Sequence, residues 1–86
     1  MISNNYIADV LEEIANLLAI RGDNHFKIRA HRMGAAKIRE LTYQIDENTT
    51  DKEITKIKGI GKALAGKIIE IAKTGDCPAH INLLRE

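Results

Sequence analysis

The chain has 86 residues, which is room for one small domain with a modest core. Hydrophobic residues make up 44% and charged residues 29%, a balance that excludes a disordered chain. No apolar run reaches the roughly 18 residues of a membrane span, and the start, MISNNYIADV, has no basic-then-apolar signal pattern. Cys77 stands alone, so no intrachain disulfide forms and no cysteine zinc site is indicated; a reducing, cytoplasmic setting is expected.

Residues 4–18 form an amphipathic pattern, with Ile7, Val10, Leu11, Ile14, Leu17 and Leu18 on one face and Asp9, Glu12, Glu13 and Asn16 on the other. Ser3 or Asn4 is placed to cap this helix and Gly22 to end it. A second helix is expected from about Asn24, its cap, to Thr42. Phe26, Ala30, Met33 and Lys37 share one of its stripes, and Ala35, Ile38 and Leu41 a neighbouring one. The Gly34-Ala35-Ala36 run has little bulk and suits close packing against another helix.

Thr50-Asp51-Lys52-Glu53 fits a capping box opening a short helix to about Ile57. Gly59-Ile60-Gly61 interrupts, and a further helix follows from Lys62 to Thr74, ended by Gly75. Asp76 as cap and Pro78 in the first turn start a last short helix carrying Ile81, Leu83 and Leu84. No alternating β-rich run appears. The expectation is an all-α bundle of four to five helices, one domain over residues 1–86, with a helix-hairpin-helix over about 51–74.

Charge is segregated along the chain although the net is only +1. Residues 1–23 sum to −3, residues 24–45 to +4, residues 46–54 to −3 and residues 55–75 to +4. Two basic segments divided by acidic ones make an electrostatic footprint if folding unites them, or ordinary alternation on a solvated surface if it does not.

The stretch Ile57-Lys58-Gly59-Ile60-Gly61-Lys62-Ala63-Leu64-Ala65-Gly66-Lys67-Ile68 carries the functional signal. Gly59 and Gly61 permit a tight turn and remove side chains where a phosphate would approach. Ile60 points inward as an anchor. Free N–H groups and the positive dipole end of the next helix form an anion site, with Lys58, Lys62 and Lys67 around it. A Gly-x-Gly before a helix also serves as a plain helix connection. The full pattern favours DNA-backbone binding, and a Rossmann or P-loop reading fails because no strand precedes it and no Gly-Lys-Ser/Thr follows.

Asn24-His25-Phe26-Lys27-Ile28-Arg29-Ala30-His31-Arg32, with Gly34-Ala35-Ala36 after it, resembles the amino-terminal domain of family X DNA polymerases. The spacing to Gly59-Ile60-Gly61 fits too, and the similarity covers nearly the whole chain. The resemblance implies a four-helix domain that holds gapped or nicked duplex, or single strands, near a 5′-phosphate in DNA repair, alongside other repair proteins. In a prokaryote the location would be the nucleoid. It places Lys27, Arg29, His31, Arg32, Lys58, Gly59, Gly61, Lys62 and Lys67 against DNA. It also implies that the backbone carbonyls of Thr55, Ile57 and Ile60 hold a monovalent cation (Na+ or K+) bridging to a phosphate; no other cofactor is expected.

Some members of that family remove a 5′-deoxyribose phosphate by β-elimination, and the position of their Schiff-base lysine is Lys67. Lys27 matches a phosphate-side lysine. His31 stands where many members have tyrosine, and Ala63 where the best-known lyases carry a phosphate-binding lysine. No nucleotidyltransferase palm is present, and the chain is either an excised domain or a stand-alone relative that kept the DNA grip. Three functions follow: a DNA-binding module without sequence preference, a deoxyribose-phosphate or abasic-site lyase, and a helical protein-interaction module. His25, His31 and His80 show no metal-ligand spacing and are expected as surface or capping residues; Cys77 is expected to be inert.

Overall fold

The computed structural model describes residues 2–86. Five helices follow one another: α1 Asn4–Arg21, α2 His25–Glu40, α3 Asp51–Thr55, α4 Lys62–Thr74 and α5 Pro78–Leu84. No strand occurs among the described residues, and the fold is all-α, as the periodicity predicts.

α1 and α2 form the largest helix–helix contact, and the α3–α4 hairpin packs on them. The core is a continuous aliphatic cluster. α1 supplies Ile7, Leu11 and Ile14, α2 supplies Ala35 and Ile38, and Ile54, Ile60, Leu64, Ile68 and Ile71 come from the hairpin. Each fully buried isoleucine or leucine contributes about 1.5–3 kcal/mol relative to exposure, so the domain rests on branched aliphatics rather than aromatics.

Helix starts follow their caps. Ser3 Oγ accepts the Tyr6 N–H at 3.0 Å, and Asn24 Oδ1 accepts those of Phe26 and Lys27 at 2.7 and 3.3 Å. At α3 half of the expected capping box forms. Thr50 Oγ1 accepts the Glu53 N–H at 3.3 Å, but the Glu53 carboxylate accepts from the Thr50 hydroxyl, not from the backbone.

Several boundaries and faces differ from the sequence reading. α1 extends to Arg21, past the Leu18 where the apolar pattern stops, and Gly22 ends it as expected. α2 stops at Glu40, where the chain turns extended at Leu41, and α3 stops at Thr55. Asp76 is one residue short of the α5 cap position, which Cys77 occupies; Asp76 Oδ1 instead accepts the Cys77 N–H at 2.8 Å. On α5, Ile81 and Leu84 are exposed, and His80 is the buried residue.

The apolar stripe of α2 is also shifted. Its buried face is Ile28, His31, Gly34, Ala35 and Ile38, while Met33 is exposed and Phe26 is 81% exposed. A side-chain Cβ at Gly34 would lie 2.5 Å from Leu64 Cδ2, so the missing side chain is what lets α2 approach α4 there.

The connection between α2 and α3 is pinned to α1 by Asn4. Its Nδ2 donates to the Tyr43 carbonyl at 2.7 Å and its Oδ1 accepts the Ile45 N–H at 2.9 Å. Tyr6 closes the other side, donating its hydroxyl to the Gly75 carbonyl at 2.5 Å. These contacts fix the two ends of the hairpin unit against α1.

Candidate nucleic-acid interface

The hairpin begins where α3 ends. Ile54 C=O accepts the Ile57 N–H at 3.0 Å and Ile57 C=O accepts the Ile60 N–H at 3.1 Å, so two successive turns wind the chain into Gly59. Gly59 has φ +93°, a left-handed conformation that a side chain disfavours. Gly61 differs: at φ −87° and ψ 178° it is ordinary extended backbone, and a Cβ there would meet nothing within 4 Å. Conformation therefore requires only the first glycine of the pair. Ile60 between them is 4% exposed and enters the core, as expected.

Gly61 is the N-cap of α4 and offers no side chain to its first turn. The first helical bond is Ala65 N–H to the Gly61 carbonyl at 2.9 Å, which leaves the N–H groups of Lys62, Ala63 and Leu64 free of side-chain caps. α1, α2 and α3 all have such caps. Free donors at a positive dipole end, beside exposed Lys58 and Lys62, suit an anion.

The second basic segment reaches α4 at one point. Lys67 Nζ lies 2.9 Å from His31 Nε2, and His31 Nδ1 lies 2.7 Å from the Lys27 carbonyl oxygen. A carbonyl only accepts, so Nδ1 carries the ring proton and Nε2 presents its lone pair to the lysine. Burial is the main cause that lowers the His31 pKa, helped by the charges of Lys67 and Lys27 and opposed by the bond to the Lys27 carbonyl. Half-buried Lys67 is also lowered, chiefly by burial, with Lys27 adding to the shift and Cys77 opposing it. Burial raises the Cys77 thiol, which leaves it poorly nucleophilic, as expected.

Lys27, His31 and Lys67 line one cleft of about 200 Å³, closed by Ala79, Asn82 and Leu83 of α5. It is smaller than the pockets of about 300–1,000 Å³ that take drug-sized ligands. Arg29 and Arg32 lie elsewhere, in a depression shared with His25, Phe26 and Met33. The proposed DNA-facing residues thus fall into three places: the hairpin (Lys58, Gly59, Gly61, Lys62), the cleft (Lys27, His31, Lys67) and the α2 depression (Arg29, Arg32). Thr55 ends α3, and Ile57 and Ile60 lie in the turn between α3 and α4.

Two of the histidines expected as surface or capping residues are buried. His31 is 4% exposed and sits under the cleft. His80 joins α5 to α1, with Nδ1 2.7 Å from Asp76 Oδ1 and Nε2 2.9 Å from Glu13 Oε2. Both are buried because each ring nitrogen finds a polar partner, which a single sequence does not display. Phe26 is the opposite case: a large aromatic expected on an apolar stripe stands in solvent beside two arginines.

A short helix joined to a longer one through a glycine-flanked turn, an inward isoleucine and a bare helix start together define a helix-hairpin-helix scaffold. The model of the family described as helix-hairpin-helix domain matches residues 2–77, and the chain belongs to that family. The match ends at Cys77, before α5. No curated protein and no solved structure matches the chain. Membership brings the coarse function: DNA binding without sequence preference.

Proposed function

We propose that this domain grips DNA through its phosphate backbone at gaps, nicks or 5′-phosphate ends, in the manner of the family X polymerase amino-terminal domain that it resembles. The observation that carries the reading is the start of α4, where free N–H groups follow a glycine N-cap between exposed Lys58 and Lys62. The Lys27–His31–Lys67 cleft supplies a second cationic position for a terminal phosphate. The domain's place would be the cytoplasm, with the nucleoid and other repair proteins as its surroundings.

The hairpin carbonyls suit a hard monovalent cation. Ile57 C=O has one lone pair engaged by Ile60 and a second left over. Nothing lies within 4 Å of a Cβ at Gly59 or Gly61, so the space over the turn is open. Thr55, Ile57 and Ile60 would hold Na+ or K+ through backbone oxygens, and the ion would add positive charge for a bridging phosphate.

The test is a fluorescence titration onto a short gapped duplex, with and without a 5′-phosphate, over several salt concentrations. Binding that weakens steeply with salt and tightens with the phosphate supports the reading. Binding indifferent to the phosphate would remove the end-specific part. No binding at low salt would remove the reading altogether and leave the protein-interaction module.

The Lys67 geometry favours a second reading, a deoxyribose-phosphate lyase. A Schiff-base amine must be partly neutral, and burial lowers the Lys67 pKa in that direction. Its amine would condense with the C1′ aldehyde of an open abasic sugar. Loss of the C2′ proton would then expel the C3′ oxygen, leaving a 5′-phosphate on the DNA. Borohydride trapping that is lost in Lys67→Ala distinguishes this chemistry from simple binding.

A further inference from the structure

Resting on the lyase reading, we propose that His31 is a catalytic residue that carries the Lys67 proton: Nε2 takes it from the ammonium and returns it to the departing oxygen. The inference comes from the contact itself. Lys67 Nζ is 2.9 Å from His31 Nε2, within the reach required of a nucleophile and its base. The ring is held for that role, since Nδ1 donates to the Lys27 carbonyl at 2.7 Å and the side chain is buried. That bond leaves Nε2 as the only ring nitrogen able to accept.

Competing partners are missing on the described surface of the cleft. The other titratable groups around the pair are Arg21 of α1, Lys27 of α2, Glu70 of α4, Cys77 ahead of α5, and Glu86. Among the described residues Lys67 makes no ion pair, and the Glu86 carboxylate at the cleft edge is engaged by Arg21 at 2.6 Å. A carboxylate against Lys67 would hold it as an ammonium. A neutral imidazole accepts its hydrogen bond without a full opposing charge. Burial favours the neutral form of His31 and disfavours the charged form of Lys67, so both groups are biased toward the states the step needs.

The step balances with no outside reagent. The Lys67 ammonium gives one proton to His31, forming imidazolium and free amine. The amine nitrogen adds to the C1′ aldehyde carbon, a C–N bond forms, and an internal proton transfer gives the neutral carbinolamine. Imidazolium then protonates the carbinolamine hydroxyl, the C–O bond breaks and water leaves. The products are the iminium, water and neutral His31. The imidazole lone pair is then free and faces the new iminium.

The experiment is single-turnover borohydride trapping on a gapped duplex with a 5′-deoxyribose phosphate, followed against pH for the intact chain, Lys67→Ala, His31→Gln and His31→Ala. The amide introduced by His31→Gln would keep an acceptor near Nζ but cannot carry a proton. General acid–base catalysis typically contributes about 10²–10⁴-fold, so His31→Gln is expected to slow trapping by at least about a hundredfold near neutrality. Trapping is run at saturating protein and DNA affinity is measured alongside, so that any loss of binding is separated from the loss in the trapping step. In His31→Ala, added imidazole should restore the rate and reimpose the lost pH dependence, which a merely structural histidine would not produce. If His31→Ala does not fold, His31→Gln alone decides. Wild-type rates and pH profile in His31→Gln would overturn the proposal while leaving the lyase reading intact, provided Lys67→Ala abolishes trapping. Slow trapping with an unaltered pH profile and no response to imidazole would also overturn it. An intact chain that is never trapped would overturn both.

Discussion

Replacing each glycine of the hairpin by alanine separates what the turn needs from what the ligand needs. Gly59 has φ +93°, where a Cβ costs about 1–2 kcal/mol. For a domain of 60–100 residues each kcal/mol moves Tm by about 4–8 °C, so Gly59→Ala should lower it by about 4–16 °C. Gly61 has φ −87° and ψ 178°, and its Cβ would meet nothing within 4 Å. There alanine gains about 0.4–1 kcal/mol by restricting the unfolded chain and loses a comparable amount as a poorer N-cap, so Tm should barely move. Binding should show the reverse selectivity at Gly61. A methyl group in the open space beside Gly61, where the phosphate is proposed to sit, would obstruct a charge-assisted hydrogen bond worth about 1.5–3 kcal/mol, or about tenfold or more in affinity. Circular-dichroism melts and titration onto gapped duplex measure both quantities on the same samples. Equal Tm losses in the two variants would refute the conformational argument. Wild-type affinity in a folded Gly61→Ala or Gly61→Val would refute the phosphate site at α4.

Removing Lys58 and Lys62 together by alanine should flatten the salt dependence of DNA binding by about two log-log units while leaving Tm within a few degrees, read from titrations at several salt concentrations. Ile60→Ala should cost about 2–5 kcal/mol, because its side chain is buried under the turn, and urea unfolding measures it. Stability should also fall with acid through His31. Burial lowers its folded pKa below the ordinary 6.5, so the unfolded chain takes the proton first as pH falls. Its contribution is therefore complete above 6.5 and is lost as pH drops from there through the folded value. His31→Gln should flatten that part of the pH–stability curve measured by urea unfolding.

Helix existence and the hairpin were legible because they depend on local chemistry. Ser3, Asn24 and Thr50 cap within three residues of themselves, and the apolar spacing of α1 and α4 has a single interpretation. The face of α2 was not legible. Its two apolar stripes compete, and His31 as a buried residue makes sense only once Lys67, remote in sequence, supplies its partner. His80 is the same case, since Glu13 lies 67 residues away. Gly34 could be read as a packing residue from the small-residue run, but its partner Leu64 could not. Buried polar contacts between distant segments are tertiary facts. The Lys67–His31 and His80–Glu13 contacts belong to that class.

The same contacts resolve how a chain of net charge +1 can hold a polyanion. The acidic residues of the first segment are partly engaged within the fold. Asp9 accepts from Arg39 at 2.6 Å and Glu12 pairs with it at 3.3 Å, Glu13 meets His80, and Asp23 is engaged by Arg21. Among the described residues, no ion pair involves Arg29, Lys58, Lys62 or Lys67. The single Arg39 charge therefore offsets one of the α1 carboxylates, while the hairpin lysines Lys58 and Lys62 have no paired counter-charge among the described residues. It follows that Arg39, although it belongs to a basic segment, acts as a strut between α1 and α2. Exposed pairs of this kind contribute little to stability, so Arg39→Ala should alter DNA binding through the freed Asp9 and Glu12 charges more than through folding.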